Sequence, residues 1–557
     1  MHGGLRGPSL RDKAQQRIRS SPADETPEVG GGSLQAGEEY IGLEDQARPG
    51  CPDIPTSEHF FALLARKMER TRYPWSDGDG HTNPHIPAGY TYLAQFVAHD
   101  LTVNNGVEES RAPNGASTHQ RPRPLNLDTL YGDGPTVEPA CFELVTRMPP
   151  ALRSGWPKTR FRLDGIAEDN GLRPADSARC PRRDIGRALD QRAGVTRGTA
   201  LIADTRNDDN AVLSQLTALF QIAHNLAMDR LEQGREPATP QASFLNFMAA
   251  RGALTFVYHQ ILRHDLLPHL LDPHVRQHFE THGPIGPVRG ETTHAPLAEP
   301  DFTNAAFRVG HAMVRERYAF TGPPPAEHRL IDVLRRTSER NPRRTPHGSD
   351  WIISWSNFFD TGPGSPQPSA RLSPQYEAAL WDDTLFPPME TGTPPGLAYR
   401  DLVRCTLSGV RKISALSRHI ESQAPALAAC SPWLTDPAPR HAAMATWLDA
   451  EQSIDITPYR AIAIADPPPL LYFLVEAAAS NNGHRSGPLA SVVIANNIYL
   501  HLDDHTHKAS NPVVAEEAAK VVFGPNVPNT MPELIKWTDR NLNMREKTFR
   551  NRALPLS

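Results

Sequence analysis

The sequence lacks any run of about 18 or more apolar residues, so it predicts no membrane-spanning helix. Its first residues, MHGGLRG, contain no apolar stretch of the kind that a secretory signal needs, and we therefore expect a cytoplasmic protein. Cysteine is scarce: the five cysteines are far apart, and no two of them form a CxxC pair. The sequence therefore favours neither a disulfide-stabilised fold nor a thiolate zinc site.

The chain also lacks an excess of charge of either sign, since its 58 basic and 63 acidic residues leave a net charge of −5. This argues against a nucleic-acid-binding surface that covers much of the protein. Apolar residues make up only 39%, whereas proline is frequent, with 54 in 557 residues. We therefore expect many irregular connections around a core that a chain of this length can still bury.

Strand-like alternation is scarce and no repeat with a period of 20–50 residues is visible, so the fold class is predicted to be mostly α. We expect a disordered extension over residues 1–50, a single large helical domain with long loops over 51–510, and a C-terminal tail with one short helix over 511–557. Apolar residues at helical spacing predict helices over Ala211–Leu231, Ala249–Leu271, Asn304–Tyr318, Tyr399–Ser417, Leu470–Ala479 and Leu489–Leu500. Polar, proline-rich stretches predict loops over 106–124, 283–301 and 339–372.

Two segments in the first half of the chain place polar groups where chemistry is plausible. His99 ends an apolar helical stretch, with Gln95 one turn before it, and Arg206 lies among carboxylates directly before the helix at Ala211. A base and a cation for a cofactor pocket are one interpretation. Taken singly, a capped helix-terminal histidine and a salt-bridged loop are the better explanations.

Two segments in the second half raise the same question. His311 follows Gly310 in an apolar helical pattern, which would let a flat group approach closely. Asp401 and Arg404 are three residues apart and share a helix face. A buried core histidine and an ordinary ion pair remain the plain alternatives for each segment alone.

Taken together and in order, seven segments of the chain resemble the animal-type haem peroxidases of the peroxidase–cyclooxygenase superfamily, especially its bacterial branch. The resemblance extends over about residues 50–510 and implies a single large helical haem-peroxidase domain. The segments are 90–102 (YTYLAQFVAHDLT), 125–132 (LNLDTLYG), 203–225 (ADTRNDDNAVLSQLTALFQIAHN), 257–268 (VYHQILRHDLLP), 307–315 (FRVGHAMVR), 400–404 (RDLVR) and 469–500, which begins PLLYFLVEA.

The resemblance implies roles on the distal side of a haem. His99 matches the distal histidine, which moves a proton from one peroxide oxygen to the other. Arg206 matches the distal arginine, whose charge stabilises the departing oxygen. Gln95 matches the distal glutamine, which orders water or substrate beside the histidine.

On the proximal side the resemblance makes His311 the iron ligand. Asp401 stands where the family usually has asparagine, at the position that accepts a hydrogen bond from the ring N–H of the proximal histidine. A carboxylate there gives the imidazole more anionic character, so we expect a lowered Fe(III)/Fe(II) potential. Arg404 is expected to pair with a haem propionate.

Some relatives attach their haem covalently, and this sequence departs from their pattern. Ala98 occupies the position of one ester-forming carboxylate, and Asn210 replaces the methionine that forms a sulfonium link. Asp209 replaces a glutamate that forms the second ester, and it is one methylene shorter. We therefore expect non-covalent haem b, with a link through Asp209 as the alternative.

A structural calcium ion is a further alternative that the resemblance leaves open. Asp100, Asn126 and Asp128 supply oxygen ligands at the matching places, which suits a hard cation. Pro122 replaces the threonine that normally contributes to this site. A hydrogen-bonded loop without an ion explains the same residues.

The resemblance implies a haem peroxidase that uses hydrogen peroxide to oxidise a small electron donor, either an aromatic or phenolic compound or a halide. A specialised biosynthetic oxidase or fatty-acid dioxygenase of the same superfamily is one alternative. The dioxygenases carry a radical-forming tyrosine three residues before the proximal histidine, where this chain has Arg308. A haem-binding scaffold without catalysis is the other alternative, against which the retained His99 and Arg206 argue.

Overall fold

The structure is a computed structural model. It describes fourteen stretches of the chain. The disorder predicted for residues 1–50 lies outside them, and so does the loop predicted over 106–124 except for its last residue. The described residues are 57–69, 81–102, 124–144, 155–164, 184–192, 195–233, 237–285, 300–321, 325–362, 364–389, 391–407, 410–450, 454–503 and 512–549.

The architecture of the described residues is mostly helical, as predicted. The longer helices are α1 (Ser57–Met68), α2 (Gly89–Leu101), α3 (Ala211–Glu232), α4 (Pro240–Ile261), α5 (Pro273–His282), α6 (Leu397–Leu407), α7 (Ile413–Gln423), α8 (Pro437–Asp449), α9 (Pro469–Asn481), α10 (Pro488–Leu502), α11 (Pro512–Phe523) and α12 (Met531–Phe549). Short α-helical turns cover Asp128–Tyr131, Leu267–Leu270, Pro300–Asn304, Leu330–Arg335, Pro425–Ala428, Pro432–Thr435 and Arg460–Ala465. Single turns of 3₁₀ helix cover Pro139–Cys141, Thr205–Asp208, Pro342–Arg344, Ser349–Trp351, Trp355–Asn357, Ala378–Trp381 and Thr457–Tyr459.

The strands of the described residues form only two-stranded antiparallel sheets. They are β1 (Thr82–Pro87), β2 (Phe142–Glu143), β3 (Arg160–Phe161), β4 (Leu163–Asp164), β5 (Asp184–Ile185), β6 (Arg187–Arg192), β7 (Val195–Ala200), β8 (Arg317–Ala319), β9 (Glu327–Arg329) and β10 (Pro368–Ala370). β1 pairs with β10, with an irregularity between Asn83 and Pro87, and the other strands pair in sequence order. Such small sheets cannot carry a core of their own, so the helices do.

Helix α3 forms the centre of the core. Every residue from Ala211 to Met228 is buried, which explains why its sequence is apolar on almost all sides. Its start is fixed by Asn210, whose side-chain oxygen accepts hydrogen bonds from the amides of Val212 and Leu213. α2 packs against α3, and both α9 and α10 pack against a 3₁₀ segment, Ala306–Met313, that also contacts α2.

Three predicted helices differ from the structure. The segment around His311 is 3₁₀ helix over Ala306–Met313 rather than part of a helix over Asn304–Tyr318. The helix predicted over Tyr399–Ser417 is two helices, α6 and α7. The helix predicted over Ala249–Leu271 begins earlier, at Pro240, and passes through one π-helical turn, Leu262–Leu266. Apolar periodicity does not register these local changes of hydrogen-bonding pattern.

The end of the chain also differs from its prediction as a tail with one short helix. α11 packs against α4, and α12 packs against α3, so both helices extend the core of the domain. Ala519, Val522 and Phe523 of α11 are buried there. Within the described ranges no single helix is long and apolar enough to cross a membrane, and the apolar pair Thr457–Ala465 and Pro469–Asn481 is bent by 77°.

Candidate active site

Helix α2 is buried on all sides except along one stripe. Gln95, Ala98 and His99 are the residues of α2 that keep some accessibility, and the other ten are buried. Residues at these spacings lie on one face of a helix. α2 contacts both α3 and the segment that carries His311.

His99 is held in one orientation and one tautomer by Asn207. The His99 Nδ1 atom lies 2.9 Å from Oδ1 of Asn207, which is itself fully buried. Nδ2 of Asn207 donates to Oγ1 of Thr129 at 3.0 Å, and this contact turns Oδ1 toward the histidine. An amide oxygen only accepts hydrogen bonds, so Nδ1 of His99 carries the proton and Nε2 carries the lone pair of the neutral ring.

The electrostatic environment keeps His99 neutral. Burial, and next the positive charge of Arg206, lower the pKa of His99 to about 4, although nearby Asp204 acts in the opposite direction. The imidazole is therefore an unprotonated base throughout the neutral pH range. This is the protonation state that a proton acceptor requires.

Arg206 is anchored at the end of α2, beside His99. Its Nη2 atom donates to the carbonyl oxygens of His99 at 2.9 Å and Thr102 at 2.5 Å, and to Oδ2 of Asp204 at 2.7 Å. Nε donates to Asp204 as well, and Nη1 donates to Oγ1 of Thr102 at 3.2 Å. The guanidinium thus neutralises the exposed carbonyl end of the helix. The second N–H of Nη1 has no acceptor among the described residues.

Gln95 is linked to the start of α3. Its Oε1 atom accepts a hydrogen bond of 3.1 Å from Nδ2 of Asn210, the residue that caps α3. The structure therefore brings Gln95, His99 and Arg206 together at the junction of α2 and α3. The sequence predicted this group from its resemblance to relatives and not from spacing, since more than 100 residues separate Arg206 from His99.

His311 lies in the 3₁₀ segment Ala306–Met313, which contacts α2. Its Nδ1 atom lies 2.7 Å from Oδ2 of Asp401 on α6, and its side chain is 34% exposed. A carboxylate that is fully buried beside a histidine accepts the Nδ1 proton, so Nε2 is the nitrogen available to a ligand. Nε2 has no hydrogen-bond partner in the described part of the chain.

Asp401 joins three donors in one buried network. Besides His311, it accepts hydrogen bonds from Nη1 of Arg308 and from the hydroxyl of Tyr376, both at 3.2 Å. Burial raises the pKa of Asp401, but the contact with His311 and the charges of Arg308 and Arg404 outweigh it and leave the pKa below its usual value. Asp401 is therefore an anion beside His311.

The neighbourhood of His311 has room for a flat ligand. A Cβ atom added to Gly310 would meet no atom within 4 Å, so this backbone faces open space directly beside the histidine. A glycine at such a place allows a ring to lie against the backbone. α2, which carries His99, contacts the 3₁₀ segment that carries His311. These features fit a haem that His311 would hold through Nε2.

Arg404 provides positive charge near this space. Its side chain is exposed, and no hydrogen bond or ion pair engages it among the described residues. The positive charge of Arg308, foremost, lowers the pKa of Arg404 to about 10. Two guanidinium groups this close favour an anion beside them, and the haem propionates are such anions.

Asp209 is committed to another contact. Its Oδ1 atom forms an ion pair of 2.9 Å with Nη2 of Arg340, and its backbone carbonyl accepts from Nη1 of the same arginine. The carboxylate that the sequence singled out for a covalent haem link is thus held toward the loop of residues 339–345.

The three residues that match a calcium site are engaged inside the protein. The carboxylate of Asp100 accepts hydrogen bonds from the amides of Leu127 at 3.0 Å and Thr129 at 2.9 Å. Asn126 donates to the carbonyl of Pro124. Oδ1 of Asp128 is 2.6 Å from Nη2 of Arg251. Within the described ranges no three histidine, cysteine or acidic side chains converge as metal ligands.

Several residues of the site were not singled out by the sequence analysis. Asn207, Asp204 and Thr129 fix the distal side, and Tyr376 with Arg308 completes the proximal network. Asn207 directly follows Arg206 and lies in a matched motif, so its position was a usable signal. Nothing in the sequence indicated Tyr376, because a buried tyrosine outside any matched segment usually serves packing alone.

The comparisons with known proteins concern the family and the fold. The family described as animal haem peroxidase matches residues 151–345, a range that contains Arg206 and His311. A comparison with curated protein sequences finds no match. The place of the chain in the bacterial branch therefore stays a prediction.

The fold is similar to that of a solved peroxidase and a solved dioxygenase. Peroxidase A from Dictyostelium discoideum has 12% identity and a TM-score of 0.52, with 93% of each chain covered. The fatty acid alpha-dioxygenase of Oryza sativa has 14% identity and a TM-score of 0.51, with 91% of this chain and 81% of that chain covered. Residues 151–345 thus match the animal haem peroxidase family, and the fold over most of the chain is similar to that of peroxidase A and of the alpha-dioxygenase.

Proposed function

We propose that the protein is a haem-dependent peroxidase that reduces hydrogen peroxide and oxidises a small aromatic or phenolic donor, or a halide. The observation that carries this proposal is the contact between His99 and Asn207. It holds a neutral imidazole with its lone pair on Nε2, on the accessible stripe of α2. A scaffold without catalysis has no need of a histidine with this fixed tautomer.

The chain's own residues are arranged to hold a haem. His311 would bind the iron through Nε2, since Asp401 keeps the opposite nitrogen as a hydrogen-bond donor. Arg404, with Arg308 nearby, would attract the propionates. When bound, the haem supplies the redox chemistry by which peroxide is reduced and the donor oxidised.

His99 moves the proton that peroxide reduction requires. Nε2 accepts a proton from one oxygen of hydrogen peroxide and returns it to the other oxygen, which then leaves as water. Arg206 supports this in two ways. Its charge lowers the pKa of His99, and its remaining Nη1 N–H is a donor for the departing oxygen. Gln95, held by Asn210, orients the peroxide or a water molecule.

The cofactor is proposed to be non-covalent haem b without a calcium ion nearby. Asp209 pairs with Arg340, which favours the non-covalent alternative. Arg251 supplies the positive charge next to Asp128, and backbone amides satisfy Asp100, which favours the hydrogen-bonded loop over a calcium site.

A stopped-flow experiment tests the proposed activity. Haem-loaded protein is mixed with hydrogen peroxide, and the change in the Soret absorption is followed for wild type, His99→Ala and His282→Ala. We expect His99→Ala to slow the reaction by about 10²- to 10⁴-fold, the usual contribution of a positioned acid–base group. His282, at the exposed end of α5, is the matched control and should react like wild type. Equal rates for wild type and His99→Ala would contradict the proposal.

A second candidate, fatty-acid oxygenation, is favoured by the similarity of the fold to the alpha-dioxygenases. Against it stands Arg308, three residues before His311, whose guanidinium is bonded to Asp401 and to the carbonyl of Thr303. Oxygen uptake with palmitic acid separates the two candidates. We expect no uptake above the rate of the haem-loaded His99→Ala variant, whereas a phenol or bromide should be oxidised with peroxide.

A further inference from the structure

A cavity lies among helices α7 and α8, the short helix Arg460–Ala465 and the start of α9. Its volume is about 350 Å³. Cavities from about 300 Å³ upward are large enough for small organic ligands. None of the residues proposed to hold the haem lines it.

Arg440, on α8, is the central polar residue of this cavity. It is 7% exposed, and its Nη1 atom is fully enclosed without a hydrogen-bond partner. No ion pair or hydrogen bond engages this side chain anywhere in the described chain. A buried guanidinium without a partner is unfavourable, because its charge has lost contact with water and gained nothing in return.

The acidic groups around the cavity form no hydrogen bond or ion pair with Arg440 within the described residues, although its charge acts to lower the pKa of Glu476. Both carboxylate oxygens of Glu476 accept bonds from within the protein, from the amides of Leu489 and Ala490. Burial raises the pKa of Glu476 to about 8, so this group is largely protonated at neutral pH. Asp466 accepts hydrogen bonds from the amide and hydroxyl of Ser414. Glu421 is exposed at the rim.

The remaining walls combine apolar surface with further basic groups. Met444, Ile413, Ile464 and two prolines give an apolar lining, and His441 and Arg418 add donors near the opening. We propose that this cavity is a binding site for a small monocarboxylate with an apolar body, such as an aromatic or short aliphatic acid. The carboxylate pairs with Arg440, and the body lies against the apolar wall. This site is distinct from the proposed active site and does not depend on haem.

Calorimetric titration of the full chain with benzoate, hexanoate and inorganic phosphate tests the proposal. A carboxylate can also bind near a haem, so the titration is done with haem-loaded protein while the Soret band is monitored. We expect benzoate and hexanoate to bind without changing the Soret band. Arg440→Gln should weaken this binding about tenfold or more, as expected for the loss of a charge-assisted hydrogen bond. Arg418→Gln, which removes the same charge from an exposed position, should weaken it less than about threefold.

A second measurement does not require a bound probe. In ligand-free protein Arg440→Met should raise the Tm, because an apolar side chain of similar length removes a buried unpaired charge. A lower Tm would mean that the protein already compensates the guanidinium, and it would overturn the proposal. Binding of none of the three probes, equal binding by Arg440→Gln, or tighter binding of phosphate than of either carboxylate would overturn it as well.

Discussion

Nδ1 of His311 lies 2.7 Å from Oδ2 of Asp401, a carboxylate with no solvent exposure. Two other donors, Arg308 and Tyr376, share the same carboxylate. Because these contacts keep Asp401 ionised, its negative charge acts on the imidazole that is expected to bind iron. A histidine polarised in this way is a stronger electron donor to the metal.

The first prediction concerns the potential of the haem iron. Asp401→Asn keeps the shape of the hydrogen bond to His311 but removes the charge. We expect the Fe(III)/Fe(II) potential to rise by about 60–120 mV, since a charge-assisted hydrogen bond contributes about 1.5–3 kcal/mol and 59 mV corresponds to about 1.4 kcal/mol in a one-electron couple. A spectroelectrochemical titration of both proteins measures this difference.

Tyr376→Phe is the matched control for this titration. It removes one donor to Asp401 and leaves both the carboxylate and its contact with His311 in place. The lost hydrogen bond should make the carboxylate slightly more basic, so the potential should fall or stay constant. A rise in this variant as large as that in Asp401→Asn would show that packing, and not charge, sets the potential.

The second prediction concerns the tautomer of His99. Asn207→Leu removes the acceptor at Nδ1, and the imidazole can then carry its proton on Nε2. We expect the reaction with peroxide to slow by about 10- to 100-fold, because Nε2 of His99 then carries the proton in part of the molecules and cannot accept one from peroxide. Stopped-flow absorption at neutral pH measures the rate, and the Soret band confirms that haem is still bound.

Asn207→Asp distinguishes the loss of the acceptor from a loss of packing. The carboxylate still accepts the Nδ1 proton but adds negative charge, which raises the pKa of His99. At high pH this variant should react with peroxide almost as fast as wild type. As the pH is lowered, its His99 should become protonated, and its activity should be lost, at a higher pH than in wild type. If it were as slow as Asn207→Leu at every pH, the tautomer argument would be wrong.

Short segments of the sequence predict which residues form much of this site, but they do not predict the contacts between them. The matched segments predicted the group formed by His99, Arg206 and Gln95 and the contact between His311 and Asp401. The role of Asp204 could not be predicted in the same way. Its ion pair with Arg206 depends on how the 3₁₀ turn at Thr205 brings the guanidinium back onto the end of α2.

The calcium alternative shows a different limit of the sequence. The sequence shows the side chains of Asp100, Asn126 and Asp128 but does not show whether they bind an ion or form hydrogen bonds within a loop. The cation next to Asp128 in the structure, Arg251, lies on α4, and the packing of that helix brings it there. The helix predicted around His311 was wrong in its bounds and its type. Over only two turns, the spacing of apolar residues does not distinguish an α-helix from a 3₁₀ helix.

The third prediction concerns stability at acidic pH. His224 and His347 are fully buried, and burial, foremost, lowers their pKa values to about 3 and about 4. In the unfolded state both histidines have a pKa near 6.5. As the pH falls, the unfolded state therefore binds protons before the folded state does. We therefore expect the free energy of unfolding to decrease between about pH 6.5 and pH 4, by about 2–3 kcal/mol per histidine at pH 4.5.

Urea unfolding of wild type and His224→Gln at pH 7 and pH 4.5 measures this effect. Glutamine keeps hydrogen-bonding groups for the hydroxyl of Tyr131 and the carbonyl of Thr159 but does not titrate. The variant should be less stable than wild type at pH 7 and should lose less stability on acidification. An equal loss in both proteins would show that other groups cause the acid sensitivity.

The last prediction concerns Arg251 as an internal substitute for a metal ion. Arg251 and Asp128 form an ion pair that is about 95% buried on both sides, and the guanidinium also lies 4.9 Å from the ring centre of Tyr131. Chelation with EGTA should leave the Tm unchanged, because no ion is needed to neutralise the carboxylate. Arg251→Met should lower the free energy of unfolding by about 3–5 kcal/mol, since it leaves a buried charge without its partner. Asp128→Asn in the Arg251→Met background should recover part of this loss by removing the stranded charge. A fall in Tm with EGTA in wild type, reversed by calcium, would instead mean that an ion and not Arg251 stabilises the loop.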